Sequence, residues 1–259
     1  MPSKITILLL TKNESGNIKK LWGWVGECPN INQIVVIDDF STDDTIAQIN
    51  KLKTKKLRID IFQRHLNNNF SAQRQFALTK ARNNLIFWLD ADEKPSPELI
   101  QFINKNQLLE KVIYSFPRQD NFLGHVLHHG ETANQTFLRL FDKRFGKFKG
   151  NVHEIWQTKQ VTKNSPYLIL HFSHHNLTSF FTKINFYSNI RAQELYQAGQ
   201  KTNVFQFVSY PLAKFIKGYL LQLGFLDSTP GIILALGMSF HSFLVRTKLW
   251  QLQSQSSSN

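Results

Sequence analysis

One stretch decides the predicted fold: Leu85-Ile86-Phe87-Trp88-Leu89-Asp90-Ala91-Asp92-Glu93. The run that ends at Trp88 has the length and aromatic content of a buried strand, and Pro95 closes it. Asp90 and Asp92 therefore follow at the carboxyl end of that strand. Because alternate residues of a strand share a face, their carboxylates are predicted to point the same way. A capped acidic turn before proline is the alternative.

A carboxylate pair in this position suits a hard cation. Mg²⁺ usually takes one or two carboxylates and completes its shell with phosphate oxygens and water. Ligands of this kind bind at the carboxyl edge of an open α/β sheet. The sequence therefore predicts that Asp90 and Asp92 hold a cation together with a diphosphate.

Strands and helices alternate over the first third of the chain. The predicted strands cover residues 5–10, 34–37, 59–62 and 85–90, and the predicted helices cover residues 18–25, 45–52 and 70–81. Apolar runs of this kind are typical of parallel strands covered on both faces. The alternation predicts an α/β fold with a doubly wound, mostly parallel sheet.

The pattern changes after a helix predicted over residues 97–108. Short strands are predicted over residues 112–116, 122–127, 136–141 and 167–172, with glycines marking the turns between them. This indicates a small antiparallel part of the same domain. The expected organisation is a catalytic domain over residues 1–175, a helical extension over 176–250 and a disordered, Ser-rich tail over 251–259.

Charge and cysteine content limit the class of protein. The 259 residues include 31 Lys and Arg against 18 Asp and Glu, and the net charge of +13 favours phosphate-bearing partners such as nucleotides, nucleic acid or an anionic membrane. The single Cys28 excludes an internal disulfide framework and fits a reducing cytosol. The apolar run that ends at Leu10 is too short for a signal peptide, so we expect a cytoplasmic location.

The predicted helices after residue 177 interleave aromatic and aliphatic residues with lysines such as Lys214 and Lys217. The apolar run of residues 231–245 has His241 as its only ionisable group and falls short of the roughly 20 residues that span a membrane. We expect amphipathic helices that lie on the inner face of the cell membrane and meet anionic headgroups. Packing on the catalytic domain, or pairing in a dimer, is the alternative.

Three ordered motifs carry a resemblance to a known family: Thr11-Lys12-Asn13-Glu14, the acidic run of residues 38–45, and Asp90-Ala91-Asp92-Glu93. Over about residues 4–175 the chain resembles the family 2 glycosyltransferases of the GT-A fold. Residues 69–74, 139–141, 152–154 and 224–227 further resemble the subgroup of lipopolysaccharide core β-1,4-glucosyltransferases.

The resemblance implies roles for individual residues. The residues that would contact the nucleotide sugar are Thr11, Glu14, Asp39, Arg74, Asp90 and Arg139. Asp39 would contact the uracil or ribose, and Arg74 would contact the phosphates. Asp90 and Asp92 would hold Mg²⁺ or Mn²⁺, with His153 as a further ligand of the metal or diphosphate. A cation and an arginine would stabilise the departing diphosphate.

The general base is the least defined part of the predicted site. Inverting transfer requires a group that removes the proton of the acceptor hydroxyl. Glu154 is the first candidate, and Asp120 and Glu131 are held in reserve. The histidines, including His171, lack the cysteines and the H-E-x-x-H pattern of zinc sites, so we expect hydrogen-bonding or core roles for them.

The resemblance implies an inverting, metal-dependent glycosyltransferase that moves a hexose from a nucleotide diphosphate sugar, with a UDP-sugar expected, to a cell-envelope glycan or lipid-linked saccharide. A nucleotidyltransferase is an alternative, but it usually has a Gly-rich basic loop after its first strand, and residues 10–14 lack one. A basic nucleic-acid-binding protein is the other alternative. Two acidic clusters would lie in the path of a nucleic acid, so we expect no such partner.

Overall fold

The computed structural model describes residues 4–67, 69–105, 112–133, 135–150, 155–174 and 176–256. The chain divides into two compact units. The first unit comprises Met1–Arg118 and Thr136–His171, and the second comprises Gln119–Gln135 and Phe172–Asn259. Residues 119–135 thus belong with the C-terminal helices, which the sequence pattern did not indicate.

The first unit begins with the predicted alternation of strands and helices. Its elements in this part are β1 (Ile5–Thr11), α1 (Ser15–Leu21), a 3-10 helix (Gly23–Glu27), β2 (Ile31–Asp38), α2 (Thr45–Lys51), β3 (Arg58–Gln63), α3 (Phe70–Lys80) and β4 (Leu85–Asp90). Asn69 caps α3, because its side chain accepts a hydrogen bond from the backbone N–H of Ala72 at 2.9 Å.

Short strands follow, as predicted. They are β5 (Glu93–Pro95), β6 (Ile113–Phe122), β7 (His125–Val126), β8 (Thr136–Asp142), β9 (Gly146–Lys149), β10 (Ile155–Thr158), β11 (Thr162–Asn164) and β12 (Ile169–His174), with α4 (Pro97–Asn104) between β5 and β6. Ser96 caps α4, and Pro97 occupies its first turn, where the missing N–H has no helical partner to lose. Pro95 was expected to close the strand that carries Trp88, but it is the last residue of a separate short strand, β5.

The sheet of the first unit has the order β3-β2-β1-β4-β8-β6. The strands from β3 to β4 are parallel, and β8 is antiparallel to both of its neighbours. Both faces are covered, since Ile7 and Leu8, which point to opposite sides of β1, are each 0% exposed. The predicted α/β fold with a mostly parallel sheet and a small antiparallel part is confirmed.

Helices make up most of the second unit. They are α5 (Leu177–Gln197), α6 (Gln206–Phe215), a π-helical turn (Ile216–Leu221), a 3-10 turn (Gly224–Asp227) and α7 (Ser228–Ser256). Asp227 anchors the loop of residues 119–135, because its carboxylate accepts hydrogen bonds from the backbone N–H groups of His128 and His129 at 3.1 and 2.8 Å.

The last helix is longer than expected. It continues to Ser256, so most of the tail expected to be disordered is helical. In the described part of the chain, Gly224–Gln255 is long and apolar enough to cross a membrane by length and composition, with a mean hydropathy of 1.4, and 28% of its apolar window is buried. The expectation that this region is too short to span considered residues 231–245 alone.

Candidate active site

The acidic motifs converge on one edge of the sheet because β1 lies between the strands that carry them. Leu10 of β1 pairs with Ile37 of β2 on one side and with Asp90 of β4 on the other. Thr11 pairs with Asp38. Neighbouring strands lie about 4.8 Å apart, so the ends of β2 and β4 are roughly 10 Å apart. They form the two walls of a site at the carboxyl edge.

Asp38 closes the turn at the end of β2. This residue is 0% exposed, and its carboxylate accepts hydrogen bonds from the Thr11 hydroxyl at 3.0 Å and from the Ser41 backbone N–H at 2.8 Å. Thr11 itself is 5% exposed. The Thr11 hydroxyl, predicted to contact the substrate, is instead engaged inside the fold, because the buried Asp38 needs a donor.

Asp39 faces the site from the same turn. Its carboxylate pairs with Lys12 Nζ at 2.7 Å and accepts a hydrogen bond from the backbone N–H of Leu66 at 3.2 Å. Burial acts to raise the pKa of Asp39, but the hydrogen bonds from Lys12 and Leu66 outweigh it and lower the pKa. Asp39 is therefore an ionised acceptor at neutral pH, as its predicted contact with ribose or base requires.

An aromatic pair beside Asp39 was not found from the sequence. The rings of Phe40 and His65 stack with centroids 4.1 Å apart and an interplanar angle of 28°. Phe40 is 42% exposed and has a φ of 52°, a conformation that a bulky residue rarely adopts. Such backbone strain clusters at functional sites. The sequence does not indicate this left-handed conformation at Phe40, because Phe has no preference for positive φ.

Asp90 lies between two arginines. Its carboxylate accepts hydrogen bonds from Arg74 at 2.8 Å and from Arg139 at 3.0 Å, one on each oxygen. The guanidinium carbons of Arg74 and Arg139 lie 3.8 and 4.6 Å from the ring centroid of Trp88, and both arginines are 3% exposed. Burial would raise the pKa of Asp90, but Arg139 and Arg74 hold it well below its usual range.

This arrangement gives Asp90 a role that the sequence did not predict. Each of its oxygens accepts from a guanidinium group, so Asp90 orients Arg74 and Arg139. The Asp90 side chain is 35% exposed, and its predicted contact with the metal stays a prediction. The two arginines remain at the edge of the sheet where the phosphates are expected, and their planar groups suit phosphate oxygens.

Glu93 completes the cluster and was missed as a site residue. It is 0% exposed, pairs with Arg139 and accepts a hydrogen bond from the Asp90 backbone N–H at 3.0 Å. Burial raises the pKa of Glu93 against the opposing effect of Arg139, and the neighbouring Asp90 carboxylate raises it further. The sequence feature that could have indicated Glu93 is its position directly after Asp90-Ala91-Asp92, the D-x-D motif.

Asp92 faces His171. Since β4 ends at Asp90, Asp92 lies in the turn before β5, and the predicted alternation along one strand does not apply to it. His171 pairs with Glu93 in the antiparallel ladder of β12 and β5, which brings its Nε2 to 3.5 Å from Asp92 Oδ2. The side chains of Asp92 and His171 are 13% and 14% exposed.

The Asp92–His171 pair fits the metal that the motif implies. A carboxylate oxygen and an imidazole nitrogen are ligand types that Mn²⁺ accepts, and Mg²⁺ accepts the carboxylate. Within the described ranges no group of three His, Cys, Asp or Glu side chains has the spacing of a complete metal site. Two protein ligands leave room for diphosphate oxygens and water, which is how Mg²⁺ is usually held beside a phosphate.

Trp22 fixes the backbone of the acidic turn. Its indole N–H donates a hydrogen bond of 3.0 Å to the carbonyl of Ala91, between the two aspartates. Trp22 is 0% exposed and lies between α1 and the following 3-10 helix. The first helical segment thus positions the D-x-D turn, a contact that no local sequence pattern indicates.

The remaining candidates belong to other elements, to the second unit, or to residues outside the described ranges. Glu14 accepts a hydrogen bond from the Asn17 side chain at 2.6 Å, next to the start of α1. The reserve bases Asp120, which is 4% exposed, and Glu131, which pairs with Lys214, both belong to the second unit. His153 and Glu154 lie outside the described residues, so their predicted roles stay predictions.

Comparison with known proteins places these features in a family. The model of the family described as "Glycosyl transferase family 2" matches residues 6–160. An uncharacterized glycosyltransferase of Rickettsia conorii is 26% identical over 271 residues, covering 96% of this chain and 90% of the relative. The lipopolysaccharide core biosynthesis glycosyltransferase LpsC of Rhizobium meliloti is 23% identical, covering 95% of this chain and 92% of that protein.

Solved structures share the fold. The mannosyltransferase PcManGT of Pyrobaculum calidifontis, in complex with GDP-Man and Mn²⁺, aligns with a TM-score of 0.55 at 14% sequence identity. The alignment covers 96% of this chain and 89% of that structure. The GT-A-like architecture is therefore shared with a structure of low sequence identity.

Proposed function

The chain belongs to glycosyltransferase family 2, whose members transfer a sugar from a nucleotide sugar, and from this premise we propose that it is an inverting, metal-dependent hexosyltransferase acting on a cell-envelope glycan. The observation that carries the proposal is the convergence of Asp39, the Asp90–Arg74–Arg139 cluster and the Asp92–His171 pair on one edge of the sheet. Family membership argues against the nucleotidyltransferase and the nucleic-acid-binding protein.

The donor is proposed to be a nucleotide diphosphate sugar, with a uridine nucleotide as the first candidate. Asp39 would accept hydrogen bonds from the ribose or the base, and the exposed Phe40–His65 pair offers a flat apolar surface beside it. PcManGT binds GDP-Man, so a guanosine nucleotide is the donor to compare. Base preference would be decided at Asp39 and Phe40.

Mg²⁺ or Mn²⁺ is proposed as the cofactor, held by Asp92 and His171. When bound, the cation would neutralise charge that develops on the departing diphosphate. Arg74 and Arg139 are fixed by Asp90 and would supply a further positive field toward the same oxygens without having to reorganise. The bound Mn²⁺ of PcManGT, a protein of the same fold, supports this cofactor.

The acceptor is proposed to be a hydroxyl of a lipopolysaccharide core or a lipid-linked saccharide. The similarity to LpsC, along 95% of the chain, supports this class of acceptor. A β-1,4-glucosyl transfer is the finer proposal from the resemblance of residues 69–74, 139–141 and 152–154. The base that removes the acceptor proton is proposed to be Glu154, on the sequence alone.

A panel of nucleotide sugars tests the proposed donor and metal. Purified protein is mixed with UDP- and GDP-linked hexoses, with Mn²⁺, Mg²⁺ or a chelator, and both thermal stabilisation and donor hydrolysis are measured. We expect one donor to raise the melting temperature and to be hydrolysed only with a divalent cation. Hydrolysis that is equal in chelator, or equal in Asp92→Ala, would contradict the assignment of the site.

A further inference from the structure

A line of aromatic rings lies open on the surface of the second unit. It joins Phe181 of α5, Phe207 of α6, and Phe240, Phe243 and Trp250 of α7, and we call these five residues the aromatic ladder. The ring centroids are 6.3 Å apart for Phe181–Phe240, 6.2 Å for Phe240–Phe243, and 6.5 Å for both Phe243–Phe207 and Phe207–Trp250. The rings therefore form one continuous strip across three helices.

Most of the aromatic ladder is in contact with solvent. Phe181 is 44% exposed, Phe240 45%, Phe243 37% and Trp250 50%. The opposite side of α7 is packed, since Leu234, Val245 and Leu249 are at most 7% exposed. An exposed apolar strip of this size on a folded protein marks an interaction surface.

The segment of residues 204–226 adds further exposed apolar side chains to the same unit. Among its most exposed residues are Val204 at 72%, Phe205 at 77%, Val208 at 67%, Leu212 at 55% and Leu221 at 75%. Removing such side chains from water lowers the free energy by about 25 cal/mol for each Å² of apolar surface. A partner that covers them would therefore be bound favourably.

Basic residues outnumber acidic residues in this unit by seven to four. Residues 195–259 contain five Lys and Arg and a single acid, Asp227. The Asp227 side chain is 6% exposed and is held by the backbone N–H groups of His128 and His129. The described part of this segment thus has cations and no exposed carboxylate. Arg246 lies 3.8 Å from the ring centroid of Tyr210, which is itself 44% exposed.

We propose that the aromatic ladder is the surface by which this protein lies on a bilayer of anionic phospholipid. Aromatic rings are favoured at the level of the headgroups, and nearby Lys and Arg side chains are attracted to anionic lipid headgroups. A second copy of the chain would bring two surfaces of like charge together, which is unfavourable. The inference does not depend on the proposed donor or acceptor.

The packing of α7 favours a helix that lies in the interface over one that spans the membrane. One side of α7 is covered by α5 through Val245 and Leu249, which pack against Leu195. α5 also carries Lys183, Arg191 and Glu194. A spanning pair would place these charged side chains in hydrocarbon, where they are costly. The stripe of α7 that carries the aromatic ladder lies on the other side of this helix and can enter lipid.

Flotation with lipid vesicles tests this surface on the full chain. The vesicles are phosphatidylcholine with about one quarter phosphatidylglycerol, and phosphatidylcholine alone is the comparison. We expect the wild-type protein to bind the anionic vesicles more tightly. Replacing both Phe240 and Phe243 by Glu should weaken binding at least roughly tenfold, because two rings lose their apolar contact and two like charges are added.

The matched control is Phe145→Glu in the first unit. Phe145 is 37% exposed, the same as Phe243, and should be replaceable without loss of binding. Circular dichroism and the melting temperature report folding, and the single variant Phe243→Gln serves if the double variant does not fold. Equal vesicle binding by wild-type and ladder variants would overturn the proposal. The proposal would also be overturned if the wild-type protein were a dimer that does not bind vesicles and the ladder variants were monomers.

Discussion

At the scale of single residues, the two aspartates of the D-x-D motif have different surroundings. Asp90 is held by two buried arginines, whereas Asp92 faces His171 in a turn. Their similarity in sequence hides this difference, because one ends a strand and the other follows it. Substitution of Asp90 should therefore affect mainly stability, whereas substitution of Asp92 should affect mainly turnover.

Asp92→Ala should leave the fold intact and abolish metal-dependent turnover, with a loss of at least roughly 100-fold, the scale expected for one strong electrostatic contact. Asp90→Ala should in addition destabilise the protein by about 1–3 kcal/mol, because the buried Arg74 loses this carboxylate partner whereas Arg139 keeps its pair with Glu93. Turnover against Mn²⁺ concentration and denaturant unfolding measure both effects. Equal stability of the two variants would contradict the assignment.

Glu93 should give a characteristic pH dependence of stability. Its pKa is raised by burial in the folded protein, against the effect of Arg139. An acid with a raised folded pKa contributes stability below its unfolded pKa of about 4.3 and loses that contribution as the pH rises through the folded pKa. Glu93→Gln keeps the shape of the side chain but does not titrate.

The melting temperature of wild-type protein, relative to that of Glu93→Gln, should therefore fall as the pH rises from about 4.3 through the raised folded pKa of Glu93. Thermal unfolding of both proteins in the same buffers measures the difference, and Glu27→Gln, at an exposed position in the 3-10 helix, is the control. A wild-type protein that gains stability over the variant in that interval would show that the ion pair with Arg139 outweighs burial.

At the scale of elements, the site depends on contacts between segments that are distant in sequence. The indole of Trp22, after α1, reaches the Ala91 carbonyl in the turn after β4. The pairing of β5 with β12 brings His171 beside Asp92. The D-x-D turn is thus fixed from two sides by other elements, and loosening either contact should affect turnover.

Trp22→Phe should cost about 1–3 kcal/mol of stability and also lower turnover, because the buried Ala91 carbonyl loses its donor. Trp24→Phe is the matched control. Trp24 is 4% exposed, and in the described structure its indole N–H has no hydrogen-bond partner, so its loss should cost less. Denaturant unfolding and donor hydrolysis measure the two variants. Equal effects in both would mean that ring volume, not the hydrogen bond, matters.

At the scale of the whole molecule, the positive charge is concentrated in one of the two units. The first unit has 24 Lys and Arg against 14 Asp and Glu, and the second has 7 against 4. Most of the net charge of +13 thus belongs to the unit that contains the candidate active site. A positive field on that unit would attract an anionic donor.

We expect kcat/KM for the nucleotide sugar to fall several-fold between about 0.02 and 0.2 M salt, because ions screen this long-range attraction. Replacing the exposed Lys53, Lys55 and Lys56 by Gln should change this salt dependence little and leave kcat unchanged, because these residues precede β3 at the edge of the sheet opposite the site. Steady-state kinetics at several salt concentrations measure both. A kcat/KM that does not change with salt would show that the net charge does not steer the donor.

The sequence by itself determined the parallel sheet and the acidic turns at its edge, because apolar periodicity and turn residues act over a few neighbouring positions. It did not determine that Asp90 binds two arginines, that Glu93 is buried or that His171 faces Asp92. These contacts depend on strand order and register, which bring distant segments together. The exposure of the aromatic ladder was likewise decided by tertiary packing, since the sequence cannot show which side of α7 meets α5.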